Sequence, residues 1–141
     1  MIAAIRIKGQ VKINKDIKET LDRIRLRRKY ACVVIVKLDK SKIGMIKKIK
    51  DFIAYGELNK EVFEKLIEAR GQLIDKSKKI DSKKIIEGLE KGKRFEELGL
   101  KPFFRLHPPR GGIESKNHFG VGKGVLGDNK EKINELILRM L

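Results

Sequence analysis

The 141-residue chain has no tryptophan, one cysteine, two histidines and three prolines. A single cysteine excludes a disulfide within the chain. Cys32 also lies in the apolar run CVVIV (32–36), with no histidine or second cysteine near it in sequence, so it reads as a core residue rather than a reactive thiol. That usage fits a reducing, cytoplasmic compartment. No apolar run approaches the ~18 residues that suggest a membrane span. The opening MIAAIRIKGQ lacks the basic head and long apolar middle of a signal peptide. Acids are scarce too: 19 Asp and Glu stand against 35 Lys and Arg, a net charge of +16. Such an excess fits a nucleic-acid partner first and an anionic membrane surface second.

What is present still has to be tested for chemistry, and the stretch RLHPPRGGIESKNHFGVGKG (105–124) is the place to look. It holds both histidines, two of the three prolines and five of the thirteen glycines. His107 and His118 have no cysteine or close aspartate beside them, so the paired soft ligands of a structural zinc site are missing. GVGKG (120–124) sets a lysine among glycines, but it lacks the GxxxxGK[ST] spacing, and Gly124 stands where a magnesium-binding hydroxyl would be. Glu114 is the segment's single acid, seven residues from His107, too little to build an acid–base pair. The expectation is therefore no enzyme, no metal, no cofactor and no small-molecule substrate. The composition instead suits a backbone that approaches a ligand closely: glycine permits the approach, Pro108–Pro109 stiffens the run, and Arg105, Arg110, Lys116 and Lys123 supply charge. His107 and His118 can hydrogen-bond sugars or base edges. Such a segment is expected to be mobile alone and ordered on RNA.

The remaining sequence spells an α+β domain. AAIRIK (3–8) alternates apolar and charged residues, the period of a half-buried strand. Ile17, Leu21 and Ile24 mark a helix over 14–28, and ACVVIVKL (31–38) reads as a central strand. Ser41 is positioned to cap a second helix with Ile43, Ile46 and Ile49 on one face, and FIAYGEL (52–58) reads as a third strand. Residues 1–58 thus form a β-α-β-α-β unit with both helices on one face. Further helices are expected at 59–70, 82–89, 94–98 and 128–140, and a short strand at 102–106, with Phe103, Phe104 and Leu106 as core anchors.

Charge is not spread evenly over this plan. Residues 1–58 carry net +10 and residues 101–127 net +4, whereas 59–100 carry +2 and the last helix is neutral. One side therefore faces an anion and another faces water or protein. Arg23, Arg25, Arg27, Arg28 and Lys29 put five cations into seven residues with no acid, more than a helix end needs to complement its dipole. Guanidinium groups fork onto phosphate and stack on bases, which favours RNA.

GMIKKIKDFIAYGEL (44–58), FFRLHPPRGG (103–112) and GDNKEKINELILRML (127–141) together resemble the archaeal-type L30 family of large-subunit ribosomal proteins, over essentially the whole chain. The resemblance implies a ferredoxin-like core at 1–58 with a three-stranded antiparallel sheet. It also implies a mainly helical extension at 59–141 packed as one domain with that core, carrying an extended Gly/Pro-rich basic loop at 105–124. It implies binding to large-subunit rRNA beside neighbouring large-subunit proteins, without catalysis. The expected rRNA contacts are Arg23–Lys29, Lys47 and Lys48 of the second helix, and Arg105, His107, Arg110, Lys116, His118 and Lys123. A ribosome-independent RNA-binding regulator is the alternative.

Overall fold

Strand β1 (Ile2–Arg6) runs through the middle of the sheet, and its alternation decides the architecture. The computed structural model describes residues 1–9, 11–37, 39–74, 79, 81–112, 115–118 (backbone only) and 124–141. Side chains of a strand point alternately to opposite faces. Ala3 and Ile5 therefore join one apolar cluster, and Ala4 joins another. Both faces of β1 are covered, so the expectation of a half-buried strand is corrected. Arg6, placed by its period on the supposed solvent face, is 1% exposed.

The first cluster of elements follows the sequence closely. Helix α1 (Lys15–Ile24) is capped by the Asn14 side chain, which accepts from the Asp16 amide at 3.3 Å. Strand β2 (Ala31–Ile35) pairs antiparallel with β1 on one side, and β3 (Ile53–Glu57) on the other. Helix α2 (Lys40–Lys48) begins two residues earlier than expected: Asp39, not Ser41, caps it by accepting from the Lys42 amide at 2.7 Å. Leu21, Ile46 and Ile49 pack against Ala4, Val33, Ile35 and Ile53, which puts α1 and α2 on one face as expected. Ile43 is 39% exposed and takes no part in that stripe.

The opposite face is closed by α3 (Lys60–Arg70), α4 (Ser82–Glu90) and α5 (Ile133–Met140). Val62, Phe63, Leu66 and Ile67 of α3, with Ile133, Leu136, Ile137 and Met140 of α5, share one cluster with Ile5, Cys32, Val34 and Ala54 of the sheet. Residues 94–98 are a turn rather than the expected helix. Phe95 from this turn packs edge-to-face on Phe63 (6.5 Å between centroids) and on Phe104 (6.2 Å). Each such pair adds roughly 0.5–1.5 kcal/mol beyond burial, enough to hold a short irregular segment.

The sheet has six strands, not three, in the order β4-β2-β1-β3-β6-β5, where β4 is Phe104–Arg105, β5 Ser115–His118 and β6 Gly124–Asp128. The antiparallel trio β2-β1-β3 is its centre, as expected. β4 lies antiparallel on β2, while β6 lies parallel on β3 and β5 parallel on β6. The extension is thus mixed rather than mainly helical. SKNH offers no apolar alternation and GVLGD is broken by glycine, so neither carries a strand signal. The last helix is shorter for the same reason: Asp128 ends β6 and caps a 3₁₀ turn (Lys130–Lys132), accepting from the Lys130 amide at 2.9 Å, before α5 starts. Gly56 makes this packing feasible, since a Cβ there would lie 2.2 Å from the Lys130 carbonyl oxygen.

Burial pushes the Cys32 thiol up to about 12. The neutral thiol is therefore expected to resist a thiol reagent at pH 8 in the native protein and to react once per chain in urea. Its folded pKa lies above the ~8.5 of a free thiol. Its contribution to stability is complete below that value and is lost as pH rises towards about 12, which alkaline denaturation curves of wild type and Cys32→Ala would resolve. Native labelling at the unfolded rate would refute the burial.

Candidate nucleic-acid interface

Only Arg23 of the cations in the stretch 23–29 belongs to a helix. α1 stops at Ile24, and Arg25 adopts a left-handed conformation at φ 72°. The Arg25 amide donates to the Asp22 carbonyl (3.0 Å) and the Leu26 amide to the Leu21 carbonyl (2.9 Å), with both leucines buried together. This is a Schellman closure made without the usual glycine. Tyr30, at the loop's far end, is also left-handed at φ 66°. Backbone strain of this kind persists only where the surroundings enforce it.

Arg6 is what enforces it. Its Nη1 donates to the Leu26 carbonyl at 2.8 Å, its Nε to the Lys8 carbonyl at 3.0 Å, and its Nη2 to the Gly9 carbonyl at 3.4 Å. Its own carbonyl accepts from the Tyr30 amide at 2.7 Å. One residue of β1 therefore holds both ends of the loop. Burial draws the Arg6 guanidinium below the usual arginine range, and the Asp22 carboxylate works against that shift.

With its inner edge fixed, the loop turns its cations outward: Arg25, Arg27, Arg28 and Lys29 are all exposed. β4 brings Arg105 opposite Ala31, and the Leu106 amide donates to the Tyr30 carbonyl at 3.1 Å. The result is a groove of about 550 Å³ lined by Arg25, Arg27, Arg28, Lys29 and Arg105, with Phe103 and Leu106 in its wall. The Arg105 guanidinium lies 5.6 Å from the Phe103 ring centre, and the Lys29 ammonium 5.1 Å from that of Tyr30. Phe104 and Leu106 are buried anchors as expected, but Phe103 is half-buried and reaches the groove. Five of the thirteen candidate residues are thus gathered from segments some 80 positions apart in sequence.

The others are dispersed. Arg23 is exposed and pairs with Glu19 at 2.7 Å. Lys47 and Lys48 stand exposed in the last turn of α2, outside this groove. The side chains of Lys116 and His118, and all of Lys123, lie outside the described residues. His107 and Arg110 have a role not read from the sequence. The His107 amide donates to the Met140 carbonyl (3.1 Å) and the Arg110 amide to the Arg139 carbonyl (3.0 Å), satisfying two of the carbonyls that a helix end leaves open. The His107 ring lies between the Pro108 and Leu141 backbone oxygens, with Nδ1 facing the first and Nε2 the second, its neutral form donating to one of them, and the Arg139 guanidinium returns bonds to the Arg110 and Gly112 carbonyls. Gly111, at φ 81°, supplies the left-handed third position of the Pro109–Gly112 turn. RLHPPRGG (105–112) is therefore hydrogen-bonded to the end of α5, while most of the remainder of the 105–124 segment lies outside the described residues.

A sequence model of ribosomal protein L30p/L7e matches residues 2–53. Similar proteins include large ribosomal subunit protein uL30 of Archaeoglobus fulgidus, 38% identical over 99% of both chains. The uL30 proteins of Nanoarchaeum equitans (38% identical over 100% of this chain and 99% of the relative) and Desulfurococcus amylolyticus (40%, over 100% and 98%) are similar to the same extent. The chain belongs to the L30p/L7e ribosomal protein family. Membership makes it a structural protein rather than an enzyme. The stretch matched by the L30p/L7e model contains Arg6, α1, the basic loop, β2 and α2, whereas Phe103 and Arg105 come from the extension that the full-length archaeal relatives share.

The clamp on α5 predicts a separation of effects. His107→Ala is expected to cost about 1–2 kcal/mol in urea denaturation through its lost hydrogen bonds. The salt dependence of RNA binding should stay unchanged. Unaltered stability with a flatter salt dependence would make His107 an RNA contact instead.

Proposed function

We propose that this protein is a structural constituent of the large ribosomal subunit, working in the cytoplasm in translation and gripping large-subunit rRNA through the groove between the α1–β2 loop and β4. The observation that carries the reading is the convergence of five cations and an aromatic wall on one concave surface. Arginine forks match phosphate oxygens bidentately, and the half-buried Phe103 offers a face on which a base can stack. Lys47 and Lys48 of α2 form a second set of phosphate contacts, and Lys116, His118 and Lys123 are taken as further contacts in the same reading. The nearly neutral surfaces of α3–α5 face neighbouring large-subunit proteins. No helix among the described residues is long and apolar enough to cross a membrane. Residues 1–58 and 59–141 act in this reading as one domain.

Arg28→Ala with Arg105→Ala tests the groove from both of its walls. Each phosphate contact contributes roughly 0.7–0.9 to the salt slope, so the double variant should flatten log K against log [salt] by about 1.4–1.8. Filter binding to large-subunit rRNA between low and moderate salt would measure it, with circular dichroism to check the fold. An unchanged slope would place both arginines in solvent. Recovery of the native protein solely in the ribosome-free fraction after low-salt sedimentation would refute the ribosomal role itself.

A further inference from the structure

A second groove, of about 510 Å³, runs along the outer edge of β2. Val33, Val34, Ile35 and Val36 all line it, although successive strand side chains point to opposite faces. Val33 and Ile35 indeed belong to the α1/α2 cluster and Val34 to the α3/α5 cluster. What four consecutive residues show in common to one groove is their backbone edge. β4 covers only the start of that edge, pairing at Ala31–Arg105 and Cys32–Phe104. Continuing the register would set Pro102 opposite Val34, but proline has no N–H to give, and the chain turns away, with the Lys101 amide donating to the Gln72 carbonyl at 2.8 Å. Pro102 then stands in the groove wall.

The rim of this groove is charged. Lys37, Lys42, Lys93 and Arg94 line it, are exposed, and form no ion pair among the described residues. The one acid in the lining, Glu96, is already bound to Arg25 at 2.9 Å.

We propose that the β2 edge from Val33 to Val36 is a docking site for an extended, acidic peptide segment of a partner protein, which adds a strand beyond β4. Backbone pairing gives such a site affinity, and the rim cations select glutamate- or aspartate-bearing chains. The strand edge separates this occupant from RNA: cations alone would serve either, but amides and carbonyls of Val33–Val36 with no partner strand on this side among the described residues are complementary to another extended backbone.

The test uses the full chain and a blocked heptapeptide alternating glutamate with valine and threonine. Hydrogen exchange at the amides of 33–36 should slow when the peptide is added, because strand addition protects them. Lys93→Glu with Arg94→Glu should weaken binding by about tenfold or more, since attraction becomes like-charge repulsion. A peptide of the same charge with proline at alternate positions should fail to bind, being unable to donate the pairing amides. Equal binding of the proline peptide, no protection at 33–36, or protection by oligouridylate in place of the acidic peptide would each overturn the proposal. None of these readouts depends on the rRNA groove, whose failure would show in the salt slope instead.

Discussion

A guanidinium taken inside the sheet holds the functional surface in place. Arg6 occupies a position that any reading of strand alternation sends to solvent, and it lies instead under α1, 1% exposed. Desolvating a charge costs several kcal/mol unless hydrogen bonds and nearby charge replace the lost water. Here three carbonyls accept from it, and the Asp22 carboxylate supplies opposite charge. The return on that cost is geometric. A planar fork fixes the Leu26 carbonyl while the same residue's backbone carbonyl takes the Tyr30 amide, so the loop between them has little freedom left. Two left-handed non-glycine residues are tolerable in a loop so constrained, and the loop presents its four cations, Arg25 and Arg27–Lys29, to the outside.

The two-sided sheet follows the same logic at larger scale. An antiparallel trio with α1 and α2 on one face would leave Ala3, Ile5, Cys32 and Val34 open to water. The extension closes that face with α3, α4 and α5, and adds strands at both sheet edges. The Asn134 side chain shows how tightly the two parts are joined: it accepts from the Asn59 amide at 2.9 Å and donates to the Glu57 and Glu131 carbonyls at 3.0 and 2.8 Å. An amide buried with its donors and acceptor all met specifies one packing of α5 on the β3–α3 junction. RLHPPRGG then locks the far end of α5, so the segment that lends Arg105 to the groove is also the one that completes the last helix.

Legibility in the sequence tracked the strength of periodicity. α3 and α5 carry clear apolar stripes whose residues, Phe63 and Ile137 among them, are buried, whereas α1 fully buries only Leu21 of its stripe and leaves Ile17 and Ile24 half-buried. β1, β2 and β3 were readable from β-branched and apolar runs. β5 and β6 were not, because neither SKNH nor GVLGD carries a local strand pattern, and the parallel pairing of β6 to β3, on which β5 then rests, is a long-range event. The five groove cations could be named individually from charge alone, but their meeting could not, since it depends on β4 lying beside β2. Arg6 was the deepest miss: its spacing is that of an exposed strand residue, and only the tertiary arrangement of Leu26, Gly9 and Tyr30 around it reveals its role. His107 was noticed for its rarity, and its partners at the end of α5 lie more than thirty residues away.

Arg25 stands where the two grooves meet, lining both of them. Its side chain is pinned by Glu96, whose carboxyl is held below the usual carboxylate range chiefly by that hydrogen bond from Arg25. Both side chains are nearly half exposed, so the pair is weak and easily exchanged. A phosphate entering the first groove competes with Glu96 for Arg25, and releasing Glu96 adds an unpaired acid to the rim of the second. An acidic occupant of the second groove would then meet that freed carboxylate as a like charge. On the proposed readings of the two grooves, their occupancy would be coupled with opposite sign through this one ion pair, because Arg25 lines both.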